Sequence, residues 1–513
     1  MQRDLSRLTG RVHDLLVVGG GVQGACLAWD ATLRGLAVAV VERDDFGGAT
    51  SANSLRIAHG GLRYLARGDF PRMRESIRER SRLMAIAPGL VMPLPVMVPT
   101  RGAGTESRAA MRVALALNDL ASIDRNRGLD PAHRIPAGRL LSRQEAVRLF
   151  APLGPRGLTG AALWHDARIR SPERLTLSFV RSAAERGAAA ANYVQAERVL
   201  TASGAVAGVE AADRRTGATL EIRARAVAIA AGRWTTRLAA SATGRPVPGR
   251  GGRQAVGLNL VVGRALAPVA VGIRALSGAA DDPVIGGYRY LFLAPQDGST
   301  LLGTWYAVDD GTDPRAVAER GAERLRAEFN AACPGLELTP GDADRVQLGW
   351  LPLKAGLEPG RDDALAERPR VLDHAADGVR HLFSVEAVKY TTARAVAEAA
   401  MNRIVRSLGL PDQGCRTADT PLAGAHAVPA DDPRLATRVA EAVRDEMALT
   451  LADIVYRRTA IGEPPGPAPA AVEEAARGAG AELGWDPATR QAEIEDVMRQ
   501  ARGPGARSCQ VSA

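Results

Sequence analysis

The sequence predicts a mixed chain, part α/β and part α+β, and three observations predict it. A strand, a glycine-rich turn, a helix and a second strand follow one another between His13 and Glu42. Short alternating β-like segments fill the stretch from Gly251 to Leu353, and helical periodicity prevails beyond Cys415. With 513 residues the chain exceeds the size at which one core keeps growing, so several packed units are expected.

The run HDLLVV (His13–Val18) is short, apolar and followed by glycines, as a buried strand is. VQGACLAWDATLRG carries apolar residues at helical spacing and stops at Gly35; LAVAVVE (Leu36–Glu42) then reads as a parallel strand. Parallel strands joined in this way need a right-handed crossover with both sheet faces covered, which makes the first unit Rossmann-type. Asp166–Ala190 reads as a loop and a long helix, and Ala226–Gly232 as another buried strand ending in glycine. The segments GLNLVVG, YRYLFLAP and STLLGTWY suit an antiparallel sheet that roofs a ligand site. The tail is helical, interrupted by a proline-rich linker at Gly462–Ala470.

Gly19-x-Gly21-x-x-Gly24 sits directly after the first strand and opens the helix. The first glycine permits the tight turn, the second lets backbone approach a pyrophosphate, and the third lets helix and strand pack closely. The helix N-terminus offers amide N–H groups and a partial positive charge to phosphates. Glu42, at the end of the second strand, stands where an acid accepts hydrogen bonds from an adenosine ribose. These features predict a bound dinucleotide without choosing which one.

Composition narrows the alternatives. The net charge of +9 would suit an anionic partner, but only two lysines, Lys354 and Lys389, stand among the 66 Lys and Arg residues. The arginines are interleaved with acids, as in Met73–Met84, which reads as a solvated helix face and not a nucleic-acid stripe. No nucleic acid is expected. Cys26, Cys333, Cys415 and Cys509 are widely spaced and form no CxxC pair, so neither a metal site nor a disulfide framework is expected; a reducing cytoplasm fits. Nowhere do eighteen apolar residues follow one another, so any membrane contact would be peripheral, at the inner face of the cell membrane.

The segment GGATSANSLRIAHGGLRYLARGDFPRMRESIRERSRLMAIAPGLVMPLP (Gly47–Pro95) resembles the FAD-dependent glycerol-3-phosphate dehydrogenases, within the D-amino-acid-oxidase-like flavoproteins. Further matches follow in order: DARI (Asp166–Ile169), AIAAGRW (Ala228–Trp234), LFLAPQDGSTLLGT (Leu291–Thr304) and EAVKYTTARAVAEAAM (Glu386–Met401). CRTADTPLAG (Cys415–Gly424) and EMALTLADIVYRRT (Glu446–Thr459) extend the match into the tail.

The resemblance implies FAD, held at its ADP end by Gly19, Gly21, Gly24, Glu42 and Arg43. Thr50, Ser51, Ser54 and Arg56 would follow the pyrophosphate and ribityl chain, and His59, Gly60, Gly61 and Leu62 the flavin ring. Val199, Ala231, Gly232, Tyr390, Thr391 and Thr392 complete the implied cofactor set together with Lys389. It implies catalytic roles for His59, Arg63 and Lys389, and substrate contacts from Arg63, Tyr64, Tyr288, Tyr290 and Lys354. His59 is the first choice of base for a hydroxyl proton, since histidine titrates nearest neutrality. An arginine fork suits a substrate phosphate.

The implied domains are a discontinuous FAD-binding domain (12–95, 165–245 and 365–410), a substrate-binding domain (96–164 and 246–364) and a helical C-terminal domain (411–513). Three departures fall on the substrate side. Leu351 stands at a family arginine, Val256 and Asn259 replace a cation and a histidine, and Glu386-Ala387-Val388 replaces a glycine pair before Lys389. Three functions therefore compete. The first is oxidation of glycerol 3-phosphate or a related polyol derivative by hydride transfer to flavin N5, with a quinone as electron acceptor. The second is an alcohol or amine oxidase of specialised metabolism, reoxidised by dioxygen. The third is a non-catalytic flavin-binding protein. Covalent attachment of FAD and a homodimer stay open.

Overall fold

Two sheets and a C-terminal helical layer make up the computed structural model, which describes residues 1–154, 157–244, 253–276, 289–354, 364–429, 432–463 and 466–502. The first sheet runs in the spatial order β16 (Arg370–Asp373), β17 (Leu382–Glu386), β10 (Thr219–Ile229), β1 (His13–Val18), β2 (Val38–Val41) and β7 (Ala189–Ala191). From β17 to β7 the pairing is parallel, with Leu15 opposite both Ala226 and Val38; β16 closes the edge antiparallel. β8 (Val194–Ala202) and β9 (Ala205–Asp213) extend β10 as a meander.

The continuous apolar run of β1 follows from burial on both faces. Leu15 and Val17 pack with the helices Val22–Leu33, Pro172–Glu185 and Ala393–Ser407. Leu16 and Val18 point the other way, into a core shared with the meander and Leu238.

The second sheet runs β15 (Arg345–Pro352), β11 (Gln254–Val262), β14 (Ser299–Val308), β13 (Tyr290–Gln296), β12 (Ala270–Arg274), β4 (Val91–Arg101), β6 (Leu158–Ile169) and β3 (Ile57–Ala58), with β5 (Arg139–Leu141) beside β6. One face is closed by the helix Pro314–Ala332: Leu258 and Leu260 of β11 meet Val317, Leu325 and Phe329. The alternate residues Gly257 and Asn259 face the ligand cavity, as the period of a strand requires. A separate core unites the helices Leu435–Glu446, Pro469–Leu483 and Pro487–Arg502.

Several expectations change. The DARI segment is the end of β6, not a loop; β4 and β6 pair along their whole length and carry 91–95 and 165–169 into the second sheet, across both expected boundaries. Met73–Met84 is helical as expected, within Phe70–Ile86, but its charges are not all solvated. Glu79 and Arg80 are buried because each meets a partner, Arg394 and Asp166 respectively. The proline-rich linker ends early, because Pro469 sits in the first turn of a helix, where a missing N–H is harmless. Tyr288 lies outside the described residues.

Candidate functional site

Both sheets and the C-terminal helices wall one continuous cavity of about 2150 Å³. One end of it is the glycine turn. Gly19 has φ +108°, and a Cβ there would lie 2.6 Å from the Ala230 carbonyl oxygen. Gly21 caps the helix Val22–Leu33 with extended backbone. Gly24 is off the cavity wall; a Cβ on it would come within 1.8 Å of the Gly19 oxygen, so its role is to let helix and turn touch. Glu42 accepts hydrogen bonds from the Gly20 N–H at 2.6 Å and the Asp44 N–H at 2.9 Å. Burial pushes its carboxyl up to about 7, against the pull of those two amides.

Beyond the turn, Ser51 Oγ accepts from the Val22 N–H at 3.0 Å, and Thr50 Oγ1 accepts from the Trp350 N–H at 3.0 Å. These two bonds fix the loop against the helix terminus and the second sheet. Ser54 and Arg43 line the cavity as well, the Arg43 guanidinium lying 4.7 Å over the Trp234 ring beside Ala231 and Gly232. Arg56 differs from expectation. Its guanidinium donates to Glu463 at 2.7 Å and lies 3.7 Å from Glu173, so it ties the loop to the helix Pro172–Glu185 and to the turn at Glu463 and is not free for a pyrophosphate.

Farther along the cavity, Gly61 (φ +80°) turns the chain so that His59, Leu62, Arg63 and Tyr64 all reach the wall. The rings of His59 and Tyr64 are tilted, with centroids 6.0 Å apart. Lys389 Nζ donates a short hydrogen bond to the Tyr64 hydroxyl and lies 4.3 Å over its ring. Arg63 and Arg72 flank the same ring at 5.4 and 4.6 Å. Burial, and then the Arg63 charge, bring the Lys389 ammonium down to about 7. Burial, followed by the charges of Arg63 and Lys389, holds the His59 imidazole well below its ordinary value, so it is neutral. Its Nδ1 is buried and unbonded among the described residues.

Asp166 organises this end. It accepts from the Gly60 N–H at 2.5 Å, Arg80 at 3.2 Å and the Trp164 indole at 3.2 Å. The Gly60 amide is thus occupied; a side chain at that position would strike Arg80 at 2.5 Å, which accounts for the glycine. Sequence reasoning quoted Asp166 within a motif but gave it no role, and it missed Arg72 and Arg80, which are conspicuous only once folding sets them around His59.

Other expected residues sort plainly. Thr391 lines the cavity; Thr392 does not, standing at the start of Ala393–Ser407 without a capping bond from its side chain. Tyr390 turns its hydroxyl to the Pro172 carbonyl at 2.8 Å and Thr176 at 3.0 Å. Val199 lies in the core of the first sheet and donates its N–H to Ser241; Val194, Gln195 and Ala196 occupy the wall instead. Tyr290 reaches the cavity but donates to Glu106 at 3.0 Å, and burial raises its pKa, which disqualifies it as a base. Lys354 is held by Glu367 at 3.3 Å. Leu351 lines the cavity; Val256 is buried in the second core and is structural, whereas Asn259 lines the cavity while bridging the Asn53 carbonyl and the Thr304 hydroxyl.

The residues fit an elongated dinucleotide. The glycine cradle, Glu42 and the room beyond them are continuous, and buried polar atoms face that room without partners among the described residues: Gln23 at the helix start and His59 Nδ1 at the far end. Among the described residues no cluster of His, Cys, Asp and Glu could hold a metal, and no helix is long and apolar enough to cross a membrane.

Comparison with known proteins agrees. Residues 14–403 match the model of the family described as FAD dependent oxidoreductase. A glycerol-3-phosphate dehydrogenase of Synechocystis is 30% identical over 450 residues, 83% of this chain and 76% of that protein. Glycerol-3-phosphate dehydrogenase 1 of Mycobacterium tuberculosis is 32% identical over 438 residues, 84% and 80% of the two chains. The fold matches that of a Bacillus halodurans glycerol-3-phosphate dehydrogenase solved with FAD, with a TM-score of 0.70 at 22% identity over 97% of this chain and 96% of that one. This chain belongs to the FAD-dependent oxidoreductase family, and within it is similar to the glycerol-3-phosphate dehydrogenases.

Proposed function

We propose that the cavity holds FAD with its adenosine at Glu42 and its ring against His59–Leu62, and that the enzyme oxidises the secondary alcohol of glycerol 3-phosphate or a related anionic polyol. The observation that carries this reading is the cationic end of the cavity. Lys389 and Arg63 converge on Tyr64, and Arg63 pairs with no carboxylate among the described residues. Arg63 is exposed, but Lys389 is partly buried beside it with no carboxylate partner among the described residues, and a buried cation without a counter-charge is costly unless a ligand brings the anion.

FAD, when bound, supplies the acceptor for the hydride leaving the carbinol carbon. The chain supplies the rest. Arg63 holds the anion with its planar fork. The neutral His59 imidazole, free at Nδ1, orients the hydroxyl. Lys389, whose amine is half deprotonated near pH 7, takes the hydroxyl proton, a task that wants a pKa near the working pH. Tyr64 fixes the amine through its hydrogen bond. An alpha-glycerophosphate oxidase of Lactococcus lactis, 29% identical, is similar to this chain as well; reoxidation by a quinone or by dioxygen is resolved by assaying peroxide. The enzyme works in the cytoplasm on this reading, with peripheral membrane contact and a homodimer as further expectations.

A second reading, oxidation of a neutral alcohol or an amine, draws support from Leu351 on the wall and from Lys354 being held by Glu367. Arg63→Gln separates the two. It should weaken a phosphorylated substrate ten- to a hundred-fold in anaerobic flavin reduction, the worth of roughly 1.5–3 kcal/mol for a charge-assisted contact. Equal weakening of neutral polyols, or none of either, contradicts the anionic reading.

A further inference from the structure

The cationic end of the cavity does not close on itself. It opens onto an apolar wall built from Val96 and Val98 of β4, Phe292 of β13, and Met111, Ala114 and Leu117 of the helix Arg108–Ala121. The three helical residues are spaced by three, so they share one face. Leu62, next in sequence to Arg63, packs in the same cluster as Val96, Met111 and Phe292. The apolar wall thus begins one residue from the side chain that faces the anion.

This wall is unfinished. Val113 and Leu117 line the cavity, yet are 59% and 40% exposed. A helix facing only water presents polar residues there, and contiguous open apolar surface marks a place for a ligand. Glu106, an acid on the same cavity, is already engaged: it accepts from Tyr290 at 3.0 Å and lies 3.9 Å from Arg274. Leu351 adds a further apolar side chain to the lining of the same cavity.

Resting on the anionic-alcohol reading above, we infer that the substrate is amphiphilic: a secondary alcohol with a phosphate or carboxylate on one side and an alkyl, acyl or aryl group on the other, the apolar group lying along Met111, Ala114, Leu117 and Phe292. The reaction is unchanged. The alcohol loses a hydride to FAD and a proton to the protein and becomes a ketone; the apolar group contributes binding only.

The test uses the full-length yellow holoenzyme under anaerobic conditions. Flavin reduction is titrated with glycerol 3-phosphate and with its 1-O-alkyl ethers of increasing chain length, kept below their micelle concentrations. A parallel series of 2-hydroxy carboxylates tells phosphate from carboxylate. In whichever series reduces the flavin, apparent Kd should fall by up to about four-fold for each methylene that reaches the wall, then level off. Leu117→Asp should flatten that slope, whereas Leu120→Asp, on a 70% exposed residue off the wall, should keep it. Thermal unfolding of both variants checks that they fold. An unchanged Kd along the series, or a slope that survives Leu117→Asp, overturns the inference. So does loss of binding to anionic lipid vesicles in Leu117→Asp with the slope intact, since the patch would then dock on a bilayer. If no anionic alcohol of any length reduces the flavin, it is the underlying reading that fails.

Discussion

In the proposed mechanism Lys389 sets the pH dependence of the reaction. Its ammonium is brought down to about 7 by burial and by Arg63, so the reactive amine gains population as pH rises through that value. Flavin reduction at saturating substrate should therefore climb with pH across neutrality. In stopped-flow measurements Lys389→Met should remove that limb, and His59→Gln should keep it while slowing reduction by up to about a hundred-fold through misorientation. The reverse pattern would return the base to His59. Lys389 was legible in the sequence because lysine is so scarce here that one inside a motif stands out. The state of His59 was not legible. A histidine suggests a base with an ordinary pKa until folding buries it and sets Arg63, Lys389, Arg80 and Arg72 around it; burial first, and then those charges, keep the imidazole neutral and weakly basic.

The glycine turn shows how far the reading of an element goes. Strand, turn and helix were predicted within a few residues of β1, Val22–Leu33 and β2, because glycine spacing and apolar runs are local signals. Gly24→Ala tests the packing role directly: the new Cβ would meet the Gly19 oxygen at 1.8 Å with backbone on both sides. The helix must shift, costing on the order of 1–3 kcal/mol and disturbing the phosphate cradle. A lower melting temperature together with reduced flavin content on purification is the expected result. The loop from Gly47 to Leu65 was beyond periodicity altogether. It forms a two-residue strand and a tight turn, held by single bonds such as Asp166 to the Gly60 N–H, and only resemblance assigned it to the cofactor. The helix Phe70–Ile86 misled in the opposite sense, since interleaved charges look solvated until their buried partners are seen.

The whole molecule is joined by contacts that sequence cannot announce. Asp45, three residues after Glu42, is fully buried against Arg457 and Arg458, some four hundred residues away. Arg457 also lines the cavity, with Thr450 and Glu493, beside Tyr193 and Gln195. The C-terminal segment, expected as a separate helical domain, has its own core and also walls the cavity near Tyr193 and Gln195. Arg458→Met removes one arm of this buried network, and a loss of about 3–5 kcal/mol in stability is expected by denaturant unfolding. Looser FAD retention on gel filtration should accompany it. The network is acid-sensitive in one direction. Burial pushes the Asp45 carboxyl up, but the two guanidinium groups hold it below its ordinary value of 3.8. Its contribution is therefore complete above that pH and fades as pH falls below it. Arg458→Met should narrow the difference in stability between neutral and strongly acid solution.

The central claim is that one cavity brings FAD and an anionic alcohol together at His59, Arg63 and Lys389. Anaerobic titration of the purified full-length protein with glycerol 3-phosphate and its anionic relatives, followed by flavin absorbance, tests it most directly. The account predicts a yellow protein that bleaches stoichiometrically with an anionic secondary alcohol and regains its colour when an oxidant is admitted. A colourless protein that takes up no FAD, or a bound flavin bleached only by neutral alcohols or amines, would contradict it.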